Sequence, residues 1–320
     1  MPTVNVGIFG QSIAEALNGQ DALGVFKTEL AREGYTPNIV FAAWGGSSAL
    51  KAHARTDQPT WYWWDETTNQ PGPLLTSAVA TIAASPNKPQ IILWLQGEQD
   101  VSPTFDQAVF ANAVKNIVWK LKQASNAADP QAVAPRMDII GHRANSDAIV
   151  QAIRDAQLYI MATSSLAFML DKYDLRLLKS DPLGRWPNDY HFMSFDNGTL
   201  GFRAAQSVLA WLGAPAVQPP RATVFTRLSS TQLKVSFFWQ GTLQKPVMPD
   251  HFAIRDGAAI RTGSDLTYTW SGDDLIIASA YSIGANATLL FPYGNLQYLN
   301  RAALITDSIG TPLLTFSATF

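Results

Sequence analysis

Short, uninterrupted apolar runs recur through the first two-thirds of the chain, and between them the apolar positions shift to a period near 3.6. The runs at 3–9, 38–43, 90–95, 136–141 and 166–170 predict strands. A strand apolar at nearly every position is one covered on both faces, as in a parallel sheet. Helical patterning predicts helices at 73–84, 105–123, 146–163 and 199–212, and one that Asp21 opens, Arg32 ends and Gly34 closes. Strands alternating with helices predict a three-layer α/β/α domain around a flavodoxin-like parallel sheet. The stretch Gly213-Ala214-Pro215-Ala216-Val217-Gln218-Pro219-Pro220 suits neither element, so the expected domains are 1–214 and 215–320. Beyond it the period falls to two. Thr223–Arg227, Leu233–Phe238, Phe252–Arg255, Leu275–Ala278 and Thr288–Phe291 alternate with Asp256-Gly257, Ser271-Gly272 and Tyr293-Gly294, predicting a small antiparallel, sandwich-like β domain.

Composition narrows the function classes. The chain has 320 residues, 47% hydrophobic and 15% charged, with a formal net charge of -2. Without a Lys/Arg cluster it presents no field for a phosphate backbone, so a nucleic-acid partner is not expected. No apolar run approaches the roughly 18 residues of a membrane span, and Met1-Pro2-Thr3-Val4-Asn5 has no basic leader, so as written the chain is expected to be cytoplasmic; a trimmed exported protein would read the same. The absence of cysteine excludes a thiol nucleophile and thiolate metal sites. Four histidines remain as candidate bases.

The chemistry gathers where the predicted strands end, which is where an open parallel sheet carries its sites. Val4-Asn5-Val6-Gly7-Ile8-Phe9-Gly10-Gln11-Ser12 runs from a buried strand to a hydroxyl ahead of helix-compatible Ile13-Ala14-Glu15-Ala16-Leu17. Ser12 is there either a nucleophile or a helix cap. Ala43-Trp44-Gly45-Gly46-Ser47-Ser48 follows the second strand, and its glycines let backbone N–H groups face outward. Trp94-Leu95-Gln96-Gly97-Glu98-Gln99-Asp100 follows the third, a polar cluster that no core tolerates unpaired. Last comes Trp186-Pro187-Asn188-Asp189-Tyr190-His191-Phe192, a histidine near a carboxylate in a proline-containing loop, suited to a general base. His53 reads as solvated or capping, His142 as a lesser rival base, and His251 beside Asp250 as a surface turn pair. The run Trp61-Tyr62-Trp63-Trp64 reads as a loop that either offers a platform for sugar rings or wedges onto the core.

In this order the four stretches resemble the SGNH (GDSL-like) hydrolases, and among them the carbohydrate acetylesterases related to sialate O-acetylesterases. The matching blocks are Gly10-Gln11-Ser12, Gly45-Gly46-Ser47, Gln96-Gly97-Glu98-Gln99-Asp100 and His191-Phe192; Arg154-Asp155-Ala156-Gln157 is similar to a helix segment of that branch. The resemblance spans roughly residues 3–212, and Tyr293-Gly294 with Asn300, Asp307, Gly310 and Pro312 is similar to the β segment that closes many of these esterases. It implies a serine esterase that removes O-acetyl groups from a carbohydrate, with no metal or cofactor. Ser12 would be the nucleophile and His191 the base, with oxyanion donors from the backbone of Ser12 and Gly46 and the Gln96 side chain. Substrate contacts would come from Gln11, Trp44, Glu98, Trp186 and Tyr190. The family's acid usually lies three residues before the histidine, where this chain has Asn188. Asp189, two residues before, is the expected orienting acid, with Asn188 or a backbone carbonyl as alternatives. The displaced acid also keeps open weak catalysis on a carbohydrate-binding protein of the same fold, and acetyl transfer to another sugar is a third possibility.

Overall fold

The computed structural model describes residues 1–140, 147–164, 167–171, 194–293, 303–307 and 312–320, the side chains of 167–171 and 194–196 aside. Two compact units emerge, Met1–Ala216 and Val217–Phe320.

The first unit opens with β1 (Thr3–Gly10), α1 (Ser12–Asn18), α2 (Gln20–Arg32) and β2 (Thr36–Ala43). Three short strands follow, β3 (Ser48–Leu50), β4 (Tyr62–Asp65) and β5 (Gln70–Pro71). Then come α3 (Pro73–Ala84), β6 (Ile91–Leu95), α4 (Gln107–Ser125), β7 (Ala134–Ile139), α5 (Asp147–Thr163), β8 (Ala167–Asp171) and α6 (Ser194–Leu212). The central 5-stranded sheet has the order β2-β1-β6-β7-β8, parallel throughout. Taken by rank along the chain, that is the flavodoxin order.

Successive residues of one strand enter opposite cores, as a pleated strand requires. Val4, Val6 and Ile8 of β1 join Leu93 and Leu95 of β6 against Ile13, Leu17, Phe26, Leu30 and Val208 of α1, α2 and α6. Phe9, Ile92, Trp94 and Met137 join Leu75, Ile82, Phe110, Ile117 and Ile153 of α3, α4 and α5. Both faces being dry explains the unbroken apolar runs; each buried aliphatic side chain contributes about 1.5–3 kcal/mol. Gly10 is level with Ala43 on one side and Leu95 on the other, so three strands finish together and their loops share one edge.

The aromatic run departs from its expectation as a loop. Tyr62–Asp65 is β4, paired parallel with β3 and antiparallel with β5. Trp63 and Trp64 are buried (0% and 4% exposed), so the packing alternative holds for them rather than a sugar platform. Trp63 stands edge-on to Trp44 (centroids 5.4 Å apart) and Trp94 (4.8 Å), and burying such rings outweighs exposing them.

The second unit holds β9 (Arg221–Arg227), β10 (Gln232–Phe238), β11 (Ala253–Asp256), β12 (Ala259–Thr262), β13 (Leu266–Ser271), β14 (Asp274–Ser279), β15 (Thr288–Phe291) and β16 (Phe316–Thr319). They form two antiparallel 4-stranded sheets, β13-β14-β10-β9 and β12-β11-β15-β16. Phe225 of β9 meets Phe316 of β16 at 5.2 Å, an aromatic contact from one sheet to the other. Strands β12, β13 and β16 are additional to those expected from the sequence.

Candidate active site

The turn out of β1 is built by a glycine that no other residue could replace. Gly10 has φ 139°, and a Cβ there would overlap the Leu95 carbonyl. Gln11 N–H donates to that same carbonyl at 3.0 Å. Gln11 is also the N-cap of α1, with no side-chain capping bond, which makes Ser12 the first helical residue and not the cap. Ser12 is partly exposed. Among the described residues neither its hydroxyl nor its backbone N–H has a hydrogen-bond partner, the latter because the first N–H groups of a helix have none inside it.

The turn after β2 lies beside it. Trp44 N–H donates to Gly10 O at 3.1 Å, and Ser47 N–H to Trp44 O at 3.1 Å. Gly45 N–H donates to Glu15 Oε1 of α1 at 2.9 Å, while a Cβ on Gly45 would lie 2.7 Å from Glu15 Oε2. Gly46 has φ 78°, and a Cβ there would come within 3.3 Å of Arg55 Nη1. With Glu15 holding Gly45, the neighbouring Gly46 N–H is left without a partner among the described residues. Two unused N–H groups and a hydroxyl therefore share the level edge of adjacent strands.

The block after β6 is arranged differently. Gly97 has φ 147°, and a Cβ there would press on Ile140 Cγ2 at 2.6 Å. Gln96 is fully buried, and the two hydrogens of its Nε2 are shared among Gln11 Oε1 (2.9 Å), Ser47 O (2.8 Å) and Asp100 Oδ2 (3.2 Å). Gln11 Nε2 donates in turn to Glu98 Oε2 at 2.6 Å, both residues being 2% exposed. Gln96, expected as an oxyanion donor, and Gln11 and Glu98, expected as substrate contacts, are thus joined in one chain of buried side-chain hydrogen bonds. A buried amide leaves no hydrogen unused when buried acceptors surround it. Helix α5 supports the block from behind, Gln157 Nε2 donating to Gln96 O at 3.1 Å.

Asp100 is the hub. Fully buried, it accepts Ala49 N–H through both oxygens (3.0 and 2.9 Å) and Leu50 N–H at 3.2 Å, and it faces His53 Nδ1 at 3.2 Å. His53 is 6% exposed, so the expectation of a solvated histidine is corrected: a carboxylate distant in sequence draws it inward. Farther out, Lys51 Nζ meets Asp65 Oδ2 at 2.7 Å, and Glu66 accepts Lys51 N–H and Ala52 N–H, both at 2.9 Å. The lysine, with Thr67 as second donor, holds the Asp65 carboxyl well below the usual range; Asp65 in turn raises Lys51.

Trp44 is partly buried against the core and Trp94 wholly buried, its Nε1 without a hydrogen bond among the described residues. His191, Asp189, Asn188, Trp186, Tyr190 and the rival His142 lie outside the described residues. Among the described residues no group of three or more His, Cys, Asp or Glu side chains is arranged to hold a metal, and no helix is long and apolar enough to cross a membrane. The sequence pattern alone does not point to Glu15, Asp100 or His53 as holding the site's backbone. The contacts Glu15–Gly45, Asp100–Ala49 and His53–Asp100 span 30, 51 and 47 residues, so no local spacing signals them.

No family model matches the chain, and no curated protein matches it in sequence. Its fold has solved counterparts. XAC1771, a novel carbohydrate acetylesterase from Xanthomonas citri, is similar with a TM-score of 0.65 at 17% identity, over 93% of this chain and 64% of that one. The chain thus spans less than two-thirds of that protein's length. A protein from Arabidopsis thaliana is similar at a TM-score of 0.43 and 18% identity, over 59% of this chain and 66% of its own. The acetyl xylan esterase AlAXEase has a TM-score of 0.43 and 13% identity, over 66% of this chain and 100% of its own. What the first of these establishes is a shared α/β fold with an added β region.

Proposed function

We propose that the chain is a serine esterase that removes O-acetyl groups from a carbohydrate through an acetyl-serine intermediate. The observation that carries the reading is the unpartnered Ser12 hydroxyl at the edge where the Ser12 and Gly46 N–H groups also lack partners among the described residues. Donors left unused beside a hydroxyl suit an oxyanion that forms only during reaction. His191 takes the Ser12 proton, Ser12 Oγ attacks the acetyl carbonyl, and the two backbone donors stabilise the oxyanion. The sugar hydroxyl departs with the proton from His191. Water, deprotonated by the same histidine, then releases acetate. Asp189 holds His191 in the accepting tautomer, while Gln96 supports the donors from behind through Ser47 O. The acetylated-carbohydrate substrate class rests on the four sequence blocks and on a fold shared with a carbohydrate acetylesterase.

Hydrolysis of a chromogenic acetate ester, with Ser12→Ala as control, tests the reaction; equal turnover by both proteins would remove it. Acetate release from an acetylated polysaccharide, compared with transfer to an added sugar, then separates hydrolysis from transfer. For the acid, Asp189→Asn is expected to cost up to about four orders of magnitude in kcat and Asn188→Ala little. A loss below roughly tenfold for Asp189→Asn would hand the orienting role to a backbone carbonyl.

A further inference from the structure

We infer that Asp100 and His53 are positioning residues for the turn that presents Gly46, an inference that rests on the esterase reading of that turn. The segment from Ser47 to His53 is tied down at successive points by one buried carboxylate and the amide beside it. Gln96 holds Ser47 O at 2.8 Å, Asp100 takes Ala49 N–H and Leu50 N–H, and His53 closes the far end at 3.2 Å. Both Asp100 oxygens already accept from backbone and amide N–H groups, and a carboxylate oxygen that accepts from His53 as well calls for the imidazole hydrogen on Nδ1. The His53 side chain is 2% exposed and its ring stacks on Phe105 with centroids 6.2 Å apart. No hydrogen bond joins it to Ser12 among the described residues. A histidine with an acid on Nδ1 has the makings of a general base, but burial and the missing serine contact give this one a structural task. Gly46 immediately precedes the tethered segment. With Glu15 on Gly45 and Asp100 behind Ala49, the direction of the Gly46 N–H is fixed from both sides.

The test uses the full chain with four readouts: kcat and KM for para-nitrophenyl acetate across pH, the rate at which a phosphonate labels Ser12, the NMR resonance of the Gly46 amide, and the His53 tautomer by nitrogen NMR. His53 is expected to carry its hydrogen on Nδ1. Asp100→Asn should lower kcat and labelling about 10- to 100-fold, leave KM within about threefold, and move the Gly46 resonance. His53→Leu should give a smaller loss of the same kind with the pH midpoint unchanged. His53→Asn, which keeps a donor near the Nδ1 position, should recover most of it. An unmoved Gly46 resonance in both Asp100→Asn and His53→Leu overturns the inference. So does a pH limb that vanishes in His53→Leu, or a hydrogen found on Nε2. If Asp100→Asn does not fold, the two His53 variants decide. If the wild-type chain hydrolyses no ester, the esterase reading fails separately, and the amide resonance and tautomer still answer for the tether.

Discussion

Two turns leave the central sheet side by side, each through a glycine of positive φ, and they end in opposite states. After β1, Gly10 (φ 139°) leads to a serine whose hydroxyl and N–H stay unpartnered among the described residues. After β6, Gly97 (φ 147°) sits within Gln96, Glu98 and Asp100, whose polar groups are bonded and buried. The same backbone device thus serves a reacting edge in one case and a scaffold in the other. What distinguishes them is whether donors remain unused, not how many polar residues crowd the turn. A buried carboxylate with its acceptor sites filled holds backbone in place, whereas an N–H left open can wait for charge to develop.

The sharpest way to break this contrast is to remove one group from each side and compare activity with stability. Ser12→Ala, on the open side, is expected to abolish ester hydrolysis by about four orders of magnitude or more while the melting temperature moves by about 1 °C. Turnover assays and circular dichroism on one preparation read both. A large loss of stability would mean that the serine is part of the closed framework after all.

Gln96→Ala, on the closed side, should do both kinds of damage. Deleting it leaves Ser47 O without its 2.8 Å donor and opens a void in a fully buried site, for a cost of about 2–4 kcal/mol. It should also lower kcat roughly 100- to 1000-fold. The melting transition discriminates: a catalytic loss at unchanged stability would return Gln96 to direct contact with the oxyanion, and the contrast between the turns would fail.

The contrast also marks how far the sequence could be read. Ile91–Leu95 and Thr3–Gly10 were legible as strands because both of their faces are apolar, which a linear pattern records. Pro73–Ala84 was legible from its period and its proline start. Strand β4 was not, since its pairing with β3 and β5 leaves no alternation in Tyr62-Trp63-Trp64-Asp65. Strands β12, β13 and β16 are short, with mixed exposure, and are defined mostly by their partners. For the site, the location of Ser12, the Gly45-Gly46 turn and the Gln96–Asp100 block on one sheet edge followed from strand order. The direction of each polar side chain did not. Whether Gln11 turns to a ligand or to Glu98, 87 residues on, depends on a tertiary approach that composition does not encode. His53 was misread for the same reason, its carboxylate being 47 residues away.

The smallest expected effect sharpens the comparison at the outer rim of the closed region, where Lys51 and Asp65 clasp the segment that leads to His53. The three bonds from Thr67 and Thr68 all fall on Asp65 Oδ1, while Lys51 alone takes Oδ2. Asp65→Asn therefore keeps the local turn and deletes the lysine contact. Because the folded state holds the Asp65 carboxyl below its ordinary value, its stabilising contribution is fully present above about pH 4. That contribution is lost as pH falls below that value. The wild-type chain should accordingly lead the variant by about 1–3 °C in melting temperature near neutral pH, a modest margin for a pair with a solvent-exposed lysine. The lead should shrink steadily below about pH 4 and with added salt. Melting curves of both proteins across that range decide the matter. A gap that persists unchanged into acid would assign the effect to the turn and not to the ion pair, and Lys51→Gln, which removes the cation while leaving the turn untouched, would then leave the melting temperature where it was.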